Sequence, residues 1–414
     1  MWDVVQGLER RGAIVGGSIA GCAAAIACGH AGLPVDIYER SGDELAERGF
    51  GITMPSALHA RLVEADYLDA SMPVHEGRDR RWLVRDPSRP YGERELIRSP
   101  TQITACSWNL VWRSLRSRVP DSAYHAGERV ELNGEELRLA YNGASGTTRP
   151  FDLVIGADGL SSSIRRLVSP HSVQDFAGYV VWRARVVLDK LSGPLETMRE
   201  TGVTVMFPAG HGIYYLIPDA DGEGRIVVNW LVYTRMPADL AGFDPQRTYP
   251  PGTAPELVAY IKDLTHVVMP PAWAEVVEQT PDADIAVYPV YDLEVDSYAC
   301  GPLLLAGDAG AVTRPHTGSG AVKALGDALC LERVLLEGQP SLRHVAERYS
   351  RERMVEGNKM VELGRRLGRT HVEEVPDFSL MGDADVQAWL EAPFKGEDHY
   401  IFRGASKKAG RAAS

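Results

Sequence analysis

A glycine-rich turn near the start of the chain and an acidic residue further on have the types and spacing of a dinucleotide-binding site. The turn contains Gly16, Ser18 and Gly21, and Glu39 follows roughly 20 residues later. Free N–H groups at a helix N-terminus bind a pyrophosphate, and a carboxylate at this distance accepts hydrogen bonds from ribose hydroxyls. Ser18 replaces the second glycine of the usual pattern, but its hydroxyl can donate to a phosphate or cap the helix. Glu39 rather than an arginine pair indicates a free ribose diol, and therefore FAD or NAD rather than NADP.

The apolar runs around this turn predict the elements that would hold it. Residues 13–15, "AIV", are typical of a parallel strand that is buried on both faces. A helix of small residues follows the turn, and "PVDIYER" predicts a second strand that ends near Glu39. The segment is therefore a βαβ unit whose predicted cofactor-binding residues are Gly16, Gly17, Ser18, Ile19, Ala20, Gly21, Glu39 and Arg40. Without a dinucleotide, it would be a plain βαβ crossover with a glycine turn.

An arginine lies just after this unit. Arg48 precedes a turn bracketed by Gly49 and Gly51. It would either approach the pyrophosphate or end a solvated helix.

Two further motifs place an aspartate at the end of an apolar strand. Asp158 follows "LVIGA", and Asp308 ends "PLLLAGD". Open α/β sheets bind ligands at the carboxyl ends of their strands, although an isolated Asp-Gly is usually only a turn. After Asp308 comes a proline- and glycine-rich loop, Pro315 to Gly320, and then a long helix. The N-terminus of that helix carries about +0.5 charge and would stabilise negative charge on a reduced flavin.

Composition limits the function further. The 414 residues carry a net charge of −12, which argues against a broad nucleic-acid-binding face. No apolar run reaches the roughly 18 residues that a membrane span requires, and the first residues lack the apolar core of a signal peptide. The five cysteines are scattered without metal-ligand spacing, so we expect reduced thiols, no metal site and a cytoplasmic protein.

Taken together and in this order, the three motifs resemble those of the group A flavoprotein aromatic hydroxylases, which share the p-hydroxybenzoate hydroxylase-like fold. "GADGLSSSIR" and "LLLAGDAGAVTRPHTGSGAVKALGDA" match the family's Asp-Gly motif and its Gly-Asp motif with the following Pro-x-x-Gly-x-Gly loop. The resemblance implies an α/β fold: a Rossmann-like, GR2-type FAD-binding domain with a parallel sheet, an inserted, mainly antiparallel-sheet substrate domain, and C-terminal helices.

The resemblance also implies the domain boundaries. We expect residues 12–75, 101–175 and 285–340 in a discontinuous FAD-binding domain, 76–100 and 176–284 in the substrate domain, 341–404 in a C-terminal helical region, and 405–414 in a flexible tail. Within the helical region, residues 341–370 read as an amphipathic packing helix with a solvated face and a kink near Gly357 or Gly364.

Roles for the matched residues follow from the same resemblance. The first turn and Arg48 would hold the FAD pyrophosphate, and Glu39 would bind the adenosine ribose. Asp158 would lie near the pyrophosphate and the passing nicotinamide co-substrate, and Asp308 would hold the ribityl chain. The loop residues that would border the isoalloxazine are Pro315, Gly318, Ser319 and Gly320.

The sequence departs from the family pattern at three places. "GGSIAG" and "CSWNLVWRSLR" resemble the dihydroxypyridine hydroxylase-like branch instead. In the second stretch Trp108 replaces the family's usual arginine, and Arg113, one turn further on, would substitute for it. After Asp308 many members carry Ala-His, whereas this chain has Ala309-Gly310 and a histidine, His316, inside the loop.

Residues 176–233 contain strand-like runs that predict an antiparallel sheet over the flavin. Tyr214 and Tyr215 would point to opposite faces of such a sheet, so only one of them could contact the substrate. A general base would deprotonate a substrate hydroxyl and so raise the nucleophilicity of the ring. The candidates are His211, Tyr215 and His316; His316 could instead only structure its loop.

The resemblance implies a single-component hydroxylase that uses FAD, NADPH or NADH, and molecular oxygen. A hydroperoxide formed on the flavin would hydroxylate an electron-rich aromatic or hydroxypyridine-type ring, in natural-product biosynthesis or ring catabolism. The alternative is an FAD-binding protein of the same fold without oxygenase activity, either a dehydrogenase or a non-catalytic binding protein. The Trp-x-Trp-x-Ile-Pro stretch of flavin-dependent halogenases is absent from the sequence. The oligomeric state stays open, with a homodimer as one candidate.

Overall fold

The computed structural model describes residues 11–42, 45, 49–133, 138–141, 151–191, 198–219, 224–236, 243–338, 341–395 and 399–401. These residues form two main sheets with helices around them. No helix in this described part of the chain is both long enough and apolar enough to cross a membrane.

The first sheet is the expected parallel sheet. Its strands are β1 (Gly12–Val15), β2 (Val35–Glu39), β6 (Tyr124–Ala126), β9 (Leu153–Gly156), β15 (Ala299–Cys300) and β16 (Leu303–Leu305). They lie in the order β15-β16-β9-β1-β2-β6, and only β15 runs antiparallel to its neighbour. Every residue of β1, β9 and β16 is buried, as continuous apolar runs in a central parallel sheet predict.

The second sheet has eight strands in the order β14-β10-β13-β12-β11-β4-β5-β3. All neighbours are antiparallel except β11 and β4. The strands are β3 (Gly51–Pro55), β4 (His75–Arg85), β5 (Glu93–Ser107), β10 (Asp175–Val187), β11 (Thr201–Phe207), β12 (Gly210–Pro218), β13 (Ile226–Thr234) and β14 (Ala286–Asp292). A separate hairpin joins β7 (Val130–Asn133) to β8 (Arg138–Tyr141).

Nine helices complete the described part of the fold. They are α1 (Ile19–His30), α2 (Ser56–Glu64), α3 (Trp108–Arg116), α4 (Arg165–Val168), α5 (Pro255–Val268), α6 (Pro271–Glu278), α7 (Ser319–Leu336), α8 (Leu342–Gly368) and α9 (Asp383–Glu391). The end of α8 and α9 pack against Trp82 and Met206 of the second sheet. The predicted fold class is confirmed: a parallel-sheet domain, a mainly antiparallel-sheet domain and C-terminal helices.

The second sheet includes strands from two segments that the sequence placed in the FAD-binding domain. Residues 51–55 of β3 pair with residues 103–107 of β5 in this sheet.

The sequence predicted a kink near Gly357 or Gly364, and α8 runs without a break through both residues. A Cβ at Gly357 would lie 2.3 Å from the Tyr298 hydroxyl, and one at Gly364 would lie 3.1 Å from the Arg314 nitrogen. These two glycines therefore permit close packing of α8 against Tyr298 and Arg314.

Candidate active site

A cavity of about 990 Å³ lies between the two sheets. One wall comes from the start of α1, the turn after β16 and the loop before α7; the other comes from the second sheet. Most small-molecule and cofactor sites fall within or near this volume. The predicted site residues that line it are Ser18, Ile19, Ala20, Tyr215, Asp308, Pro315, His316, Gly318 and Gly320.

The first turn has the geometry of a phosphate cradle. Gly16 adopts a φ of +103°, and a Cβ at Gly21 would lie 1.8 Å from the Gly16 carbonyl oxygen, so both positions require glycine. Ser18 is the extended N-cap of α1, and its side chain makes no capping hydrogen bond. The Cys22 N–H donates the first helical bond to the Ser18 carbonyl at 3.0 Å. The N–H groups of Ile19 and Ala20, which precede that bond, are the donors that a helix leaves for a ligand.

Glu39 lies buried beside this turn. Its carboxylate accepts the Gly17 N–H at 2.7 Å and the Ser41 N–H at 2.8 Å. A carboxylate has about four acceptor positions, so two remain for ribose hydroxyls. Glu39 therefore positions the turn while keeping acceptor capacity for a ligand.

The Asp158 side chain is used within its own turn. Its carboxylate accepts hydrogen bonds from the Ser162 hydroxyl, from the Ser163 N–H at 2.6 Å and from the Ser163 hydroxyl at 2.9 Å. Its neighbours Ala157 and Gly159 line the cavity. The Asp158 carboxylate therefore stabilises its own turn, and it is the neighbouring residues Ala157 and Gly159 that line the cavity.

Buried charged side chains, which the sequence analysis did not identify, support the Gly307–Asp308 turn. The Gly307 N–H donates to the Asp327 carboxylate at 2.8 Å, and the Lys323 ammonium donates to the Gly307 carbonyl. Arg353 of α8 pairs with the same carboxylate at 2.6 Å. Lys323 and Asp327 are completely buried, while the Asp308 side chain is exposed on the cavity wall. The network fixes the backbone and leaves the Asp308 carboxylate accessible to a ligand.

The loop before α7 ends in a left-handed residue. Gly318 has a φ of +63° and is the N-cap of α7, and a Cβ there would lie 2.6 Å from the Tyr400 hydroxyl. That hydroxyl donates to the Thr317 carbonyl at 3.2 Å, and the next residue, Ile401, lines the cavity. The C-terminal segment therefore contributes to the cavity wall, which the sequence did not predict. The positive end of the α7 dipole faces the cavity at Gly318 and Gly320.

Strand register decides which side chains of the second sheet reach the cavity. Tyr215 of β12, which pairs with Asn229 of β13, lines the cavity. Tyr214 points to the opposite face, where its ring packs against Trp273 and its hydroxyl donates to the Met269 sulfur at 2.9 Å. Burial raises the pKa of the Tyr215 hydroxyl, so it is protonated at neutral pH.

His316 accepts a hydrogen bond from Tyr179 in this arrangement. Its Nε2 lies 2.7 Å from the Tyr179 hydroxyl, to which the Arg314 guanidinium donates at 3.3 Å. Arginine can only donate, and the buried hydroxyl of Tyr179 needs an acceptor, so it donates to Nε2. Burial, with the charges of His211, His371 and Arg314, lowers the pKa of His316 well below its usual value. The neutral ring therefore carries its proton on Nδ1, a buried atom without a hydrogen-bond partner among the described residues.

His211 lies behind the cavity wall rather than on it. It stacks on the Tyr233 ring with centroids 4.7 Å apart, and its Nδ1 is 3.2 Å from the His371 carbonyl. Burial and the nearby Arg80 charge lower its pKa to about 3. Tyr233, on which His211 stacks, is itself a lining residue that the sequence did not single out.

The remaining predicted residues lie elsewhere. Arg40 and Arg113 are exposed, and neither is among the residues that line the cavity. Ser319 is buried beside the loop, where its hydroxyl donates to the Thr317 carbonyl at 3.1 Å. Arg48 lies outside the described residues.

These features fit FAD. The glycine cradle, the unbonded N–H groups at the start of α1 and the spare acceptor positions of Glu39 match a pyrophosphate and a ribose diol. Asp308 and the N-terminus of α7 lie on the same cavity, where they match a polyhydroxyl chain and a ring that becomes negatively charged on reduction. The fold and the site together match those of a flavin-dependent oxidoreductase.

Comparison with known proteins agrees with this class. No family model matches the chain. It is 27% identical over 374 residues to 2,6-dihydroxypyridine 3-monooxygenase from Paenarthrobacter nicotinovorans, covering 86% of this chain and 91% of that protein. It is 28% identical over 383 residues to 3-amino-4-hydroxybenzoate 2-monooxygenase from Streptomyces cremeus, covering 88% and 89%.

Solved structures show the same fold. The structure of 2,6-dihydroxypyridine-3-hydroxylase from Arthrobacter nicotinovorans superposes with a TM-score of 0.77 at 22% identity, covering 90% of this chain and 95% of that one. A Klebsiella pneumoniae protein complexed with FAD and uric acid superposes with a TM-score of 0.72 at 18% identity, covering 94% and 95%. The homologues and structural neighbours are FAD-dependent aromatic hydroxylases, and the resemblance predicted from the sequence is confirmed.

Proposed function

We propose that the protein is a single-component FAD-dependent monooxygenase. It uses NADPH or NADH and molecular oxygen to hydroxylate an electron-rich aromatic or hydroxypyridine-type ring. The observation that carries the proposal is one cavity in which the starts of α1 and α7 and Asp308 face an aromatic and cationic wall of the second sheet. The relatives, which are named for hydroxypyridine and aminohydroxybenzoate substrates, support the same class of reaction.

Bound FAD supplies the electron transfer from the nicotinamide and the activation of oxygen. The protein's own residues hold and orient the flavin ring and the substrate ring. Glu39 and the first turn bind the ribose and pyrophosphate, and Asp308 binds the ribityl chain. Tyr215 and His316 carry protons at neutral pH, so we propose that they orient a substrate oxygen by donating to it rather than remove its proton.

Aerobic oxidation of NADPH and NADH by the FAD-loaded protein tests this function. Each nicotinamide is measured with and without a panel of hydroxypyridines and phenols. Oxidation that a ring compound stimulates, with an oxygenated product, supports the monooxygenase. Oxidation that proceeds without any oxygenated product supports the alternative, an FAD-binding dehydrogenase, and a flavoprotein that consumes no nicotinamide supports a binding role.

Location and assembly form part of the proposal. All five cysteines are free, four of them buried, which supports a reducing compartment and hence the cytoplasm. A homodimer stays a prediction, and sedimentation analysis of the FAD-loaded protein would test it.

A further inference from the structure

A short C-terminal segment, residues 399–401, packs against the loop before α7. The Tyr400 hydroxyl donates to the Thr317 carbonyl at 3.2 Å, although the two residues are 83 positions apart in the sequence. The next residue, Ile401, lines the cavity and packs against the apolar cluster around Trp82 of β4. The C-terminal segment therefore contacts the loop on one wall of the cavity and the sheet that forms the other.

Tyr400 occupies the space beside Gly318, the residue at which the loop becomes a helix. Gly318 has a φ of +63°, and a Cβ there would lie 2.6 Å from the Tyr400 hydroxyl oxygen and 3.3 Å from the Thr53 hydroxyl oxygen. A side chain at this position would therefore meet both the strain of a left-handed backbone and these two atoms. The missing side chain is what lets the Tyr400 hydroxyl reach the Thr317 carbonyl.

Hydrogen bonds within the loop use the first N–H groups at the start of α7. The Gly318 N–H donates to a loop carbonyl at 2.9 Å, and the Ser319 N–H donates to the Thr317 hydroxyl oxygen at 3.1 Å. The next two N–H groups belong to Gly320 and Ala321, in the first turn of the helix, where intrahelical acceptors are missing. Both residues line the cavity, so their N–H groups are the donors that this helix leaves for a ligand.

The Thr317 carbonyl is the atom through which Tyr400 acts on these donors. It accepts the Tyr400 hydroxyl at 3.2 Å and the Ser319 hydroxyl at 3.1 Å, so both of its acceptor positions are used. The carbonyl shares one planar peptide unit with the Gly318 N–H, so a bond that fixes the oxygen also restrains the first residue of the helix. Burial raises the pKa of the Tyr400 hydroxyl, which therefore keeps at neutral pH the proton that it donates.

We infer that Tyr400 is a positioning residue for the cofactor: by holding the Thr317 carbonyl, it directs the N–H groups of Gly320 and Ala321 at the flavin ring. The positive end of the α7 dipole stabilises negative charge, and the flavin ring gains negative charge on reduction. Tyr400 therefore favours binding of reduced FAD over oxidised FAD. This inference rests on the proposed function, because it takes FAD as the occupant of the cavity.

Tyr400→Phe tests this role, because it removes the hydroxyl and keeps the ring. The midpoint potential of the bound flavin is measured by anaerobic titration against a reference dye, and the affinity for oxidised FAD is measured by equilibrium dialysis. We expect the preference for reduced over oxidised FAD to fall about threefold to tenfold, since loss of one neutral hydrogen bond changes an equilibrium by up to about tenfold. The midpoint potential then becomes about 15–30 mV more negative, at about 30 mV per tenfold change for a two-electron couple.

The matched control is Tyr291→Phe. The Tyr291 hydroxyl also donates to a backbone carbonyl, that of Gln246 at 3.3 Å, and neither residue is among those that line the cavity. We expect the wild-type midpoint potential and less than about a twofold change in FAD affinity, because substitutions at exposed bonds have small effects. A second variant ends the chain at Lys395 and so removes the C-terminal segment; its potential should shift in the same direction as that of Tyr400→Phe and at least as far. Thermal unfolding identifies a variant that fails to fold, and the other then supplies the comparison.

A wild-type midpoint potential in the folded variants would overturn the inference, even if their thermal stability decreased. A purely structural contact changes stability without favouring one redox state of the flavin. A wild-type protein that binds no FAD would overturn the inference together with the proposed function. In other cases the two fail separately: a potential that depends on Tyr400 without any oxygenated product contradicts only the monooxygenase, whereas an oxygenated product with unchanged potentials contradicts only the role of Tyr400.

Discussion

At the scale of single residues, the three acidic side chains of this site differ in how accessible their carboxylates are to a ligand. Asp308 presents its carboxylate to the cavity, whereas Asp158 uses its carboxylate on Ser162 and Ser163. Glu39 is buried and is not among the residues that line the cavity; its carboxylate holds the Gly17 N–H and can accept further hydrogen bonds. Asp308 is therefore the acid whose removal should act on cofactor binding with the least effect on the fold.

We predict that Asp308→Ala weakens FAD binding by roughly ten- to a hundredfold, since about 1.5–3 kcal/mol is typical of hydrogen bonds to a charged group. The exposed side chain leaves the unfolding temperature of the apoprotein nearly unchanged. Equilibrium dialysis with FAD and thermal unfolding measure the two effects. Asp263→Ala, at an exposed position of α5, is the control and should bind FAD like the wild type. Equal FAD affinity in the wild type and both variants would show that Asp308 does not bind the cofactor.

The sequence could predict the residues of local motifs but not those that converge from distant segments. Ser18 and Asp308 each follow a strand within a short pattern, so their common position at the sheet edge could be inferred. Tyr233 and Arg80 lie on separate strands without a motif, and only the register of the sheet brings them to the cavity. Arg353 lies in a charge-rich helix whose polar face was read as solvated, whereas the structure buries this one guanidinium against Asp327.

At the scale of elements, α7 and α8 support the turn that carries Asp308. Lys323 and Asp327 lie one turn apart on α7, and Arg353 approaches from α8. The N–H and the carbonyl of Gly307 both bond to this network, so the turn and the two helices form one unit. Loss of the Asp327 carboxylate should therefore reduce both the stability of the fold and the affinity of the cofactor site.

We predict that Asp327→Asn lowers the free energy of unfolding by about 3–5 kcal/mol, because it leaves two buried cations without an anion. The loosened Gly307–Asp308 turn also binds FAD more weakly than the wild type. Urea unfolding and FAD titration measure the two changes. Glu347→Gln removes the carboxylate of an exposed i,i+4 pair on α8 and should leave the free energy of unfolding nearly unchanged, because solvent screens exposed charges. Similar losses in both variants would show that the network does not support the turn.

At the scale of the whole molecule, a cluster of buried histidines links both domains and the C-terminal region. His211 comes from the second sheet, His316 from the loop before α7 and His371 from the turn after α8, with ring centroids 5.1 Å and 5.4 Å from His211. Burial lowers the pKa of each one. The unfolded chain therefore binds more protons than the folded protein below about pH 6.5, and the free energy of unfolding decreases as pH falls through that value.

We predict that each of these histidines contributes about 2 kcal/mol to the loss of stability between about pH 7.5 and pH 5. His371→Phe keeps an aromatic ring beside Trp82 and Trp389 but removes one titrating group. Between about pH 7.5 and pH 5, the free energy of unfolding of His371→Phe should therefore fall by about 2 kcal/mol less than that of the wild type. Urea unfolding at the two pH values measures the difference, and parallel losses in both proteins would contradict a buried neutral His371.

The central claim is that both walls of the cavity serve one oxygenase reaction. The most direct measurement follows labelled oxygen gas into the product when the FAD-loaded protein turns over a ring compound that stimulates nicotinamide oxidation. The account predicts a hydroxylated ring that carries one labelled oxygen atom. A hydroxyl oxygen that comes from unlabelled water, or nicotinamide oxidation without any hydroxylated ring, would contradict it.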